Sequence, residues 1–218
     1  MKDIKGVLFD FDYTLADSSK GVIECVNYAL ERLKFNKVSA NKINKTIGFS
    51  LEQTLVKILG DKHIEKSEEF KHYFIEKADE VMTEYTTLFS EVPYVIKSLK
   101  RSEIKLGIVS TKFRYRIENI LLRENLLDFF EVIIGGADVQ KLKPHPSGLF
   151  LAVRTLKLQL PDVVYVGDSV IDSETAYRAG IFFIAVLSGV TTKKSFKQSQ
   201  VEAYIESISC LPNLLRLK

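Results

Sequence analysis

Five short apolar runs end abruptly in small or acidic residues: Gly6-Val7-Leu8-Phe9, Leu106-Gly107-Ile108-Val109, Val132-Ile133-Ile134, Val163-Val164-Tyr165-Val166 and Phe182-Phe183-Ile184-Ala185-Val186. Each has the length and the β-branched or aromatic content of a strand. Their near-continuous apolar character predicts strands covered on both faces, as in a parallel sheet. Helical patterns lie between them, over residues 94–99, 117–122, 149–156 and 173–179. Strand and helix in alternation predict an α/β doubly wound fold.

One stretch breaks the alternation. Over residues 17–85 the pattern is helical and no strand stands out. Val22, Val26, Ala29, Leu30 and Leu33 share one face of a helix over 19–33. Ser39 stands where it would cap a short second helix running to Thr46. Ser50 with Gln53 makes a capping-box pattern that opens a third helix, ending near Leu59 before Gly60. The charged segment 64–84 reads as a fourth. Eleven basic and twelve acidic residues over 17–86 leave this stretch nearly neutral. It is therefore expected to be a small helical bundle, 17–86, inserted into an α/β core formed by 1–16 and 87–218. The chain crosses between the two near Ala16-Asp17 and near Thr86-Leu88, and two such linkers are expected to form a hinge.

Composition narrows the partners. The 218 residues are 46% hydrophobic and 27% charged, with a net charge of +3, a surplus too small to predict a nucleic-acid or membrane partner. The longest basic cluster, Lys193-Lys194 with Lys197, is broken by Phe196 and reads as a solvated loop. No run of about 18 apolar residues occurs, so no transmembrane helix is expected, and the first residues lack a signal-peptide pattern. Cys25 and Cys210 lie far apart in neither a metal-ligand nor a redox spacing. They read as two buried thiols of a cytoplasmic protein.

The candidate chemistry sits where the apolar runs stop, because ligands in open α/β sheets bind beyond the carboxyl ends of the strands. The first run leads into Asp10-Phe11-Asp12-Tyr13-Thr14. Two carboxylates two residues apart can both face a bound group while the residue between them turns away. One can act as nucleophile and the other as general acid and base; a simple strand-end turn explains the same residues equally well. The fourth run ends in Gly167-Asp168-Ser169-Val170-Ile171-Asp172. Carboxylates from two strand ends can chelate one hard divalent cation such as Mg2+; capping of the following helix is the competing explanation. Ser110-Thr111-Lys112 after the second run offers hydroxyls and backbone N–H groups to a phosphate. In Lys143-Pro144-His145-Pro146 the prolines stiffen the backbone around an ammonium.

In this order the four features resemble the four motifs of the haloacid dehalogenase superfamily. Asp10-x-Asp12-x-Thr14 looks like the first, Ser110 the second, Lys143 the third, and Gly167-Asp168-Ser169-x-x-Asp172 the fourth. The resemblance covers nearly the whole chain. Its helical insert directly after the first motif is similar to the cap of subfamily I, and within that group the chain looks most like the phosphoglycolate phosphatases. The resemblance implies a Rossmann-like core and a Mg2+-dependent phosphatase acting on a small phosphorylated metabolite, such as 2-phosphoglycolate. Asp10 would be the nucleophile and Asp12 the acid and base. Asp10, the Asp12 carbonyl and Asp168 would hold Mg2+, with Asp172 orienting that set. Ser110, Thr111 and Lys143 would bind phosphate, and Thr14 would brace the first loop.

Tyr13 departs from the family pattern, which usually has glycine there. It is expected either to influence substrate choice or to pack against the cap. Phe49 and Ser50 hold the matching place in the insert: specificity elements, or packing within the cap and capping of its third helix. Rival activities on the same motifs are a phosphosugar mutase, a pyrophosphatase and a nucleotidase. Dehalogenases and phosphonatases generally lack the second carboxylate, so Asp12 argues against both. A mutase usually carries an arginine early in the cap, whereas the insert's one arginine is Arg32. A non-catalytic binding protein is disfavoured because Asp10 and Asp168 are both present.

Overall fold

The computed structural model describes residues 4–196 and 201–216. The chain divides into two compact units, Met1–Ala16 with Leu88–Lys218 and Asp17–Thr87. In chain order the elements begin with β1 (Gly6–Phe9) and β2 (Ala16–Asp17), followed by the helices α1 (Ser19–Arg32), α2 (Ala40–Asn44), α3 (Leu51–Leu59) and α4 (Ser67–Val81). Next come β3 (Thr87–Leu88), α5 (Val92–Arg101), β4 (Lys105–Val109), α6 (Arg114–Arg123) and β5 (Val132–Ile134). The remainder is α7 (Ser147–Leu156), β6 (Val163–Gly167), α8 (Val170–Ala179), β7 (Phe182–Val186), β8 (Ala203–Ile205) and α9 (Leu211–Leu214).

The first unit is a six-stranded parallel sheet in the order β5-β4-β1-β6-β7-β8. Successive side chains of a strand point to opposite faces, and the apolar runs supply both. Val7 and Phe9 join the cluster that includes Val95, Ile117 and Leu211, from α5, α6 and α9. Leu8 joins Leu149, Ala152 and Ala176, from α7 and α8. The α/β doubly wound parallel sheet is the architecture that the alternating pattern predicts. A sixth strand was not legible: β8 is a three-residue edge strand of which only Ile205 is buried, too short to show a period.

The second unit is helical, around Val26, Leu30, Ile43, Leu55, Phe70 and Phe74. Strands β2 and β3 pair as a two-stranded ribbon where the chain passes between the units. The capping box at α3 forms as the sequence implies: Gln53 N–H donates to Ser50 Oγ at 3.2 Å, and Ser50 N–H donates to Gln53 Oε1 at 3.2 Å. Gly60, at φ 92°, ends the helix.

Several expectations change. Ser39 occupies the N-cap position of α2, but its side chain makes no capping bond. The segment 64–84 is not one helix. Residues Asp61–Lys66 form a 3-10 turn, with His63 at φ −113° and ψ 15° breaking the helical path, and α4 starts at Ser67. Cys25 is buried, but Cys210 is exposed: it closes a short turn whose neighbours Ile208 and Leu211 take the inward positions. Lys193-Lys194 belong to a 3-10 turn, not to a loop, and that turn buries Phe196 while both lysines stay exposed. Lys197 lies outside the described residues. Among the described residues, no helix is long and apolar enough to cross a membrane.

Candidate active site

The registers Phe9↔Ile108 and Phe9↔Val166 align the carboxyl ends of β4, β1 and β6. Asp10, Ser110 and Asp168 therefore follow three neighbouring strands. Asp10 continues the strand path by donating its N–H to the Val166 carbonyl at 2.9 Å. Phe11 is fully buried in the cluster shared with α5 and α6, so the residue between the two carboxylates does turn away. The next turn is closed by the main chain. Tyr13 N–H donates to Ala16 O at 2.7 Å, and the N–H groups of Leu15 and Ala16 both donate to Phe11 O. The Thr14 side chain is buried in this turn, and its hydroxyl has no hydrogen-bond partner.

Tyr13 adopts φ 59°, the left-handed region where a side chain costs about 1 kcal/mol or more. That strain explains why glycine is usual at this position. The Tyr13 side chain is nevertheless buried, and its carbonyl accepts a 2.5 Å hydrogen bond from the Ser188 hydroxyl.

Lys143 stands among the acids. Its Nζ lies 2.9 Å from Asp10 Oδ1 and 2.6 Å from Asp172 Oδ1. It also donates to the Tyr165 hydroxyl at 3.2 Å. The contact with Asp10 is an ion pair outside hydrogen-bond geometry, which leaves the buried Asp10 Oδ1 accepting no hydrogen bond. Asp172 is fully engaged: Oδ2 accepts from the Ser169 N–H at 3.1 Å and the Ser169 hydroxyl at 2.5 Å. Both members of that pair also cap α8. The Tyr165 hydroxyl sits 2.9 Å from Val109 O and 3.0 Å from Asp172 Oδ1.

Electrostatics follow from crowding. Burial pushes the Asp10 carboxyl up to about 7; the Lys143 charge opposes this, and Asp172 and Asp12 add to it. Burial, then the negative Asp172 and Asp10, raises Asp168 well above the usual carboxylate range. Burial also works against the Lys143 charge, but the two carboxylates beside it win and raise it. Oxygens of Asp10, Asp168 and Asp172 come within 4.8 Å of one another. When all are ionised, Asp10, Asp12, Asp168 and Asp172 outnumber Lys112 and Lys143 by two negative charges, and all six are buried. A divalent cation matches that excess and the all-oxygen donor set. Gly189 helps make the cradle, because a Cβ there would lie 2.1 Å from Asp168 Oδ2.

Ser110 is buried, and its hydroxyl accepts from the Lys112 N–H at 3.4 Å; Thr111 beside it is partly exposed. Phe49 and Ser50 belong to the helical unit. There the Lys57 ammonium lies 4.2 Å from the centre of the Phe49 ring, and Ser50 spends its hydroxyl on the cap of α3. Arg32, considered above for a mutase, stacks on Tyr28 and Tyr73 of the same unit. Sequence reasoning missed Lys112, whose Nζ contacts both oxygens of Asp12 at 2.9 and 3.2 Å, and Tyr165. The latter carried a signal: a phenol inside a buried strand must find a polar partner.

Known proteins share this architecture. The haloacid dehalogenase-like hydrolase family matches residues 7–186. The phosphoglycolate phosphatase of Aquifex aeolicus is 31% identical over 175 residues, covering 80% of each chain. The pyrophosphatase PpaX of Bacillus mycoides is 31% identical over 201 residues, or 91% of this chain and 92% of its own. A solved haloacid dehalogenase-like hydrolase from Bacteroides fragilis superimposes with a TM-score of 0.92 at 39% identity, covering 95% of this chain and 99% of that one. With the family matched across both ends of the site, and relatives aligned over most of their own length, this chain belongs to the haloacid dehalogenase-like hydrolases.

Proposed function

We propose that the chain is a Mg2+-dependent phosphatase that hydrolyses a small phosphate monoester through an aspartyl-phosphate on Asp10. The observation that carries this reading is the Lys143 ammonium held between Asp10 and Asp172, with Asp168 gathered beside them at the strand ends. Asp10 attacks phosphorus, and the bond to the ester oxygen breaks. Asp12 gives its proton to that leaving oxygen. Asp12 then takes a proton from water as the water attacks the phosphorus, and the bond to Asp10 breaks to release inorganic phosphate. Ser110, Thr111 and Lys143 bind phosphate oxygens. Asp10, the Asp12 carbonyl and Asp168 would hold Mg2+, with Asp172 keeping Lys143 and the helix end in place. Bound Mg2+ would offset the negative charge of the phosphate oxygens.

The Aquifex aeolicus relative brings 2-phosphoglycolate forward as the first substrate to test, and the Bacillus mycoides relative favours pyrophosphate as a second. The test is a screen of both compounds, sugar phosphates, nucleotides and an aryl phosphate, with Mg2+ and after chelation, on the wild type and Asp10→Asn. The variant is expected to stay folded and to lose turnover by at least about a thousandfold, because an amide is nearly isosteric but a poor nucleophile. Wild-type-like hydrolysis by that variant, or activity indifferent to chelation, would overturn the proposal.

A further inference from the structure

Lys112 is not the solvated lysine that usually follows a strand. Its side chain is 5% exposed and that of Asp12 is 9% exposed. Its ammonium donates to both carboxylate oxygens, which fixes the plane of the carboxylate as well as its place. The backbone that carries Lys112 is itself clamped. Its N–H donates to Ser110 Oγ, and its carbonyl accepts from Gly136 N–H at 3.0 Å. The segment after β5 runs so close that a Cβ on Gly135 would lie 2.3 Å from Arg114 N and 2.8 Å from Lys112 O. Gly135-Gly136 is thus a packing device that steadies residues 111–114.

We propose that Lys112 is a positioning residue for proton transfer: it holds the Asp12 carboxyl group on the line to the leaving oxygen. The inference rests on the acid–base role of Asp12 proposed above and adds a residue to it. In the protonated form that acts as acid, one Asp12 oxygen keeps its hydrogen bond from Lys112 while the other carries the proton to the leaving oxygen. Held in that one orientation the group delivers it without first searching rotamers, and misplacement of a catalytic group is felt in the rate. The effect should depend on the leaving group. An alkoxide must be protonated as it departs, whereas a nitrophenolate leaves without help. Loss of Lys112 should therefore harm alkyl esters far more than aryl esters.

The experiment measures kcat/KM, which reports the steps up to formation of the aspartyl-phosphate. It compares 2-phosphoglycolate, or the sugar phosphate turned over best in the screen, with p-nitrophenyl phosphate. Wild type, Lys112→Met and Lys112→Arg are compared after a melting curve confirms folding. Lys112→Met is expected to lose about 100-fold on the alkyl ester, within the range of general acid catalysis, and under about 5-fold on the aryl ester. Lys112→Arg keeps the charge and guards against a Met variant that does not fold; it is expected to retain the aryl rate and lose about 10-fold on the alkyl ester. Equal losses on both esters, or none, in the folded variants overturn the inference while leaving the phosphatase reading intact. A wild type that turns over p-nitrophenyl phosphate but neither pyrophosphate nor any alkyl monoester overturns the role of Asp12 itself, and the inference with it.

Discussion

Asp10 sits where burial disfavours its charge and the proposed attack on phosphorus requires it. A carboxyl raised from 3.8 to about 7 in the folded chain holds its proton more tightly folded than unfolded. Its contribution to stability is therefore full below about pH 4 and is lost as pH rises through about 7. In chelator, the wild-type urea midpoint should fall across that window, and Asp10→Asn should flatten the fall; parallel curves for the two proteins would contradict this origin. The carboxylates were legible because they stand at or just beyond the ends of apolar runs, and Lys143 because its Lys-Pro context matches the third motif of the family. Lys112 was not, since its burial depends on a partner 100 residues away. The strain at Tyr13 could be read as a departure from a family pattern, but its left-handed backbone and its bond with Ser188 could not, because nothing local announces them.

The helices α3 and α8 carry the same capping device with different consequences. Ser50→Ala removes a cap inside the helical unit and should cost about 1 kcal/mol of stability, with kcat/KM unchanged on every ester by the same assay used above. Ser169→Ala should cost a similar amount but also weaken Mg2+ binding several-fold in calorimetry, because Asp172 loses two of its hydrogen bonds. A Ser50 variant with altered substrate preference, or a Ser169 variant with unaltered Mg2+ affinity, would reverse these assignments. The box at α3 could be read directly, since Ser50 and Gln53 are three apart and need nothing else. The kink at His63 could not: Lys62, Glu65 and Lys66 around it are good helix formers, and the break lies in backbone angles that propensity does not encode. The edge strand β8 hides for a related reason, as its partner β7 supplies the evidence of pairing that three residues cannot.

The two units have separate apolar clusters, so each should open as its own cooperative unit. Mg2+ at about 100 times its dissociation constant should add about 2.7 kcal/mol to the unit that binds it. Hydrogen exchange should then slow in β1, β4 and β6 and stay unchanged in α1 and α4, with no slowing anywhere in Asp168→Ala; uniform protection of both units would contradict this. Sheet order carries one more consequence, for the chain as it is made. Earliest in chain order among the strands of this sheet, β1 ends in its middle, and its neighbours are Lys105–Val109 on one side and Val163–Gly167 on the other. The helical unit, whose contacts are local, is complete before either neighbour leaves the ribosome. The apolar segment Gly6–Phe9 must therefore wait, unpaired on both edges, until residues 105–109 are made, about halfway along the 218 residues. A chain stalled before residue 105 would display a folded bundle joined to a bare, aggregation-prone strand.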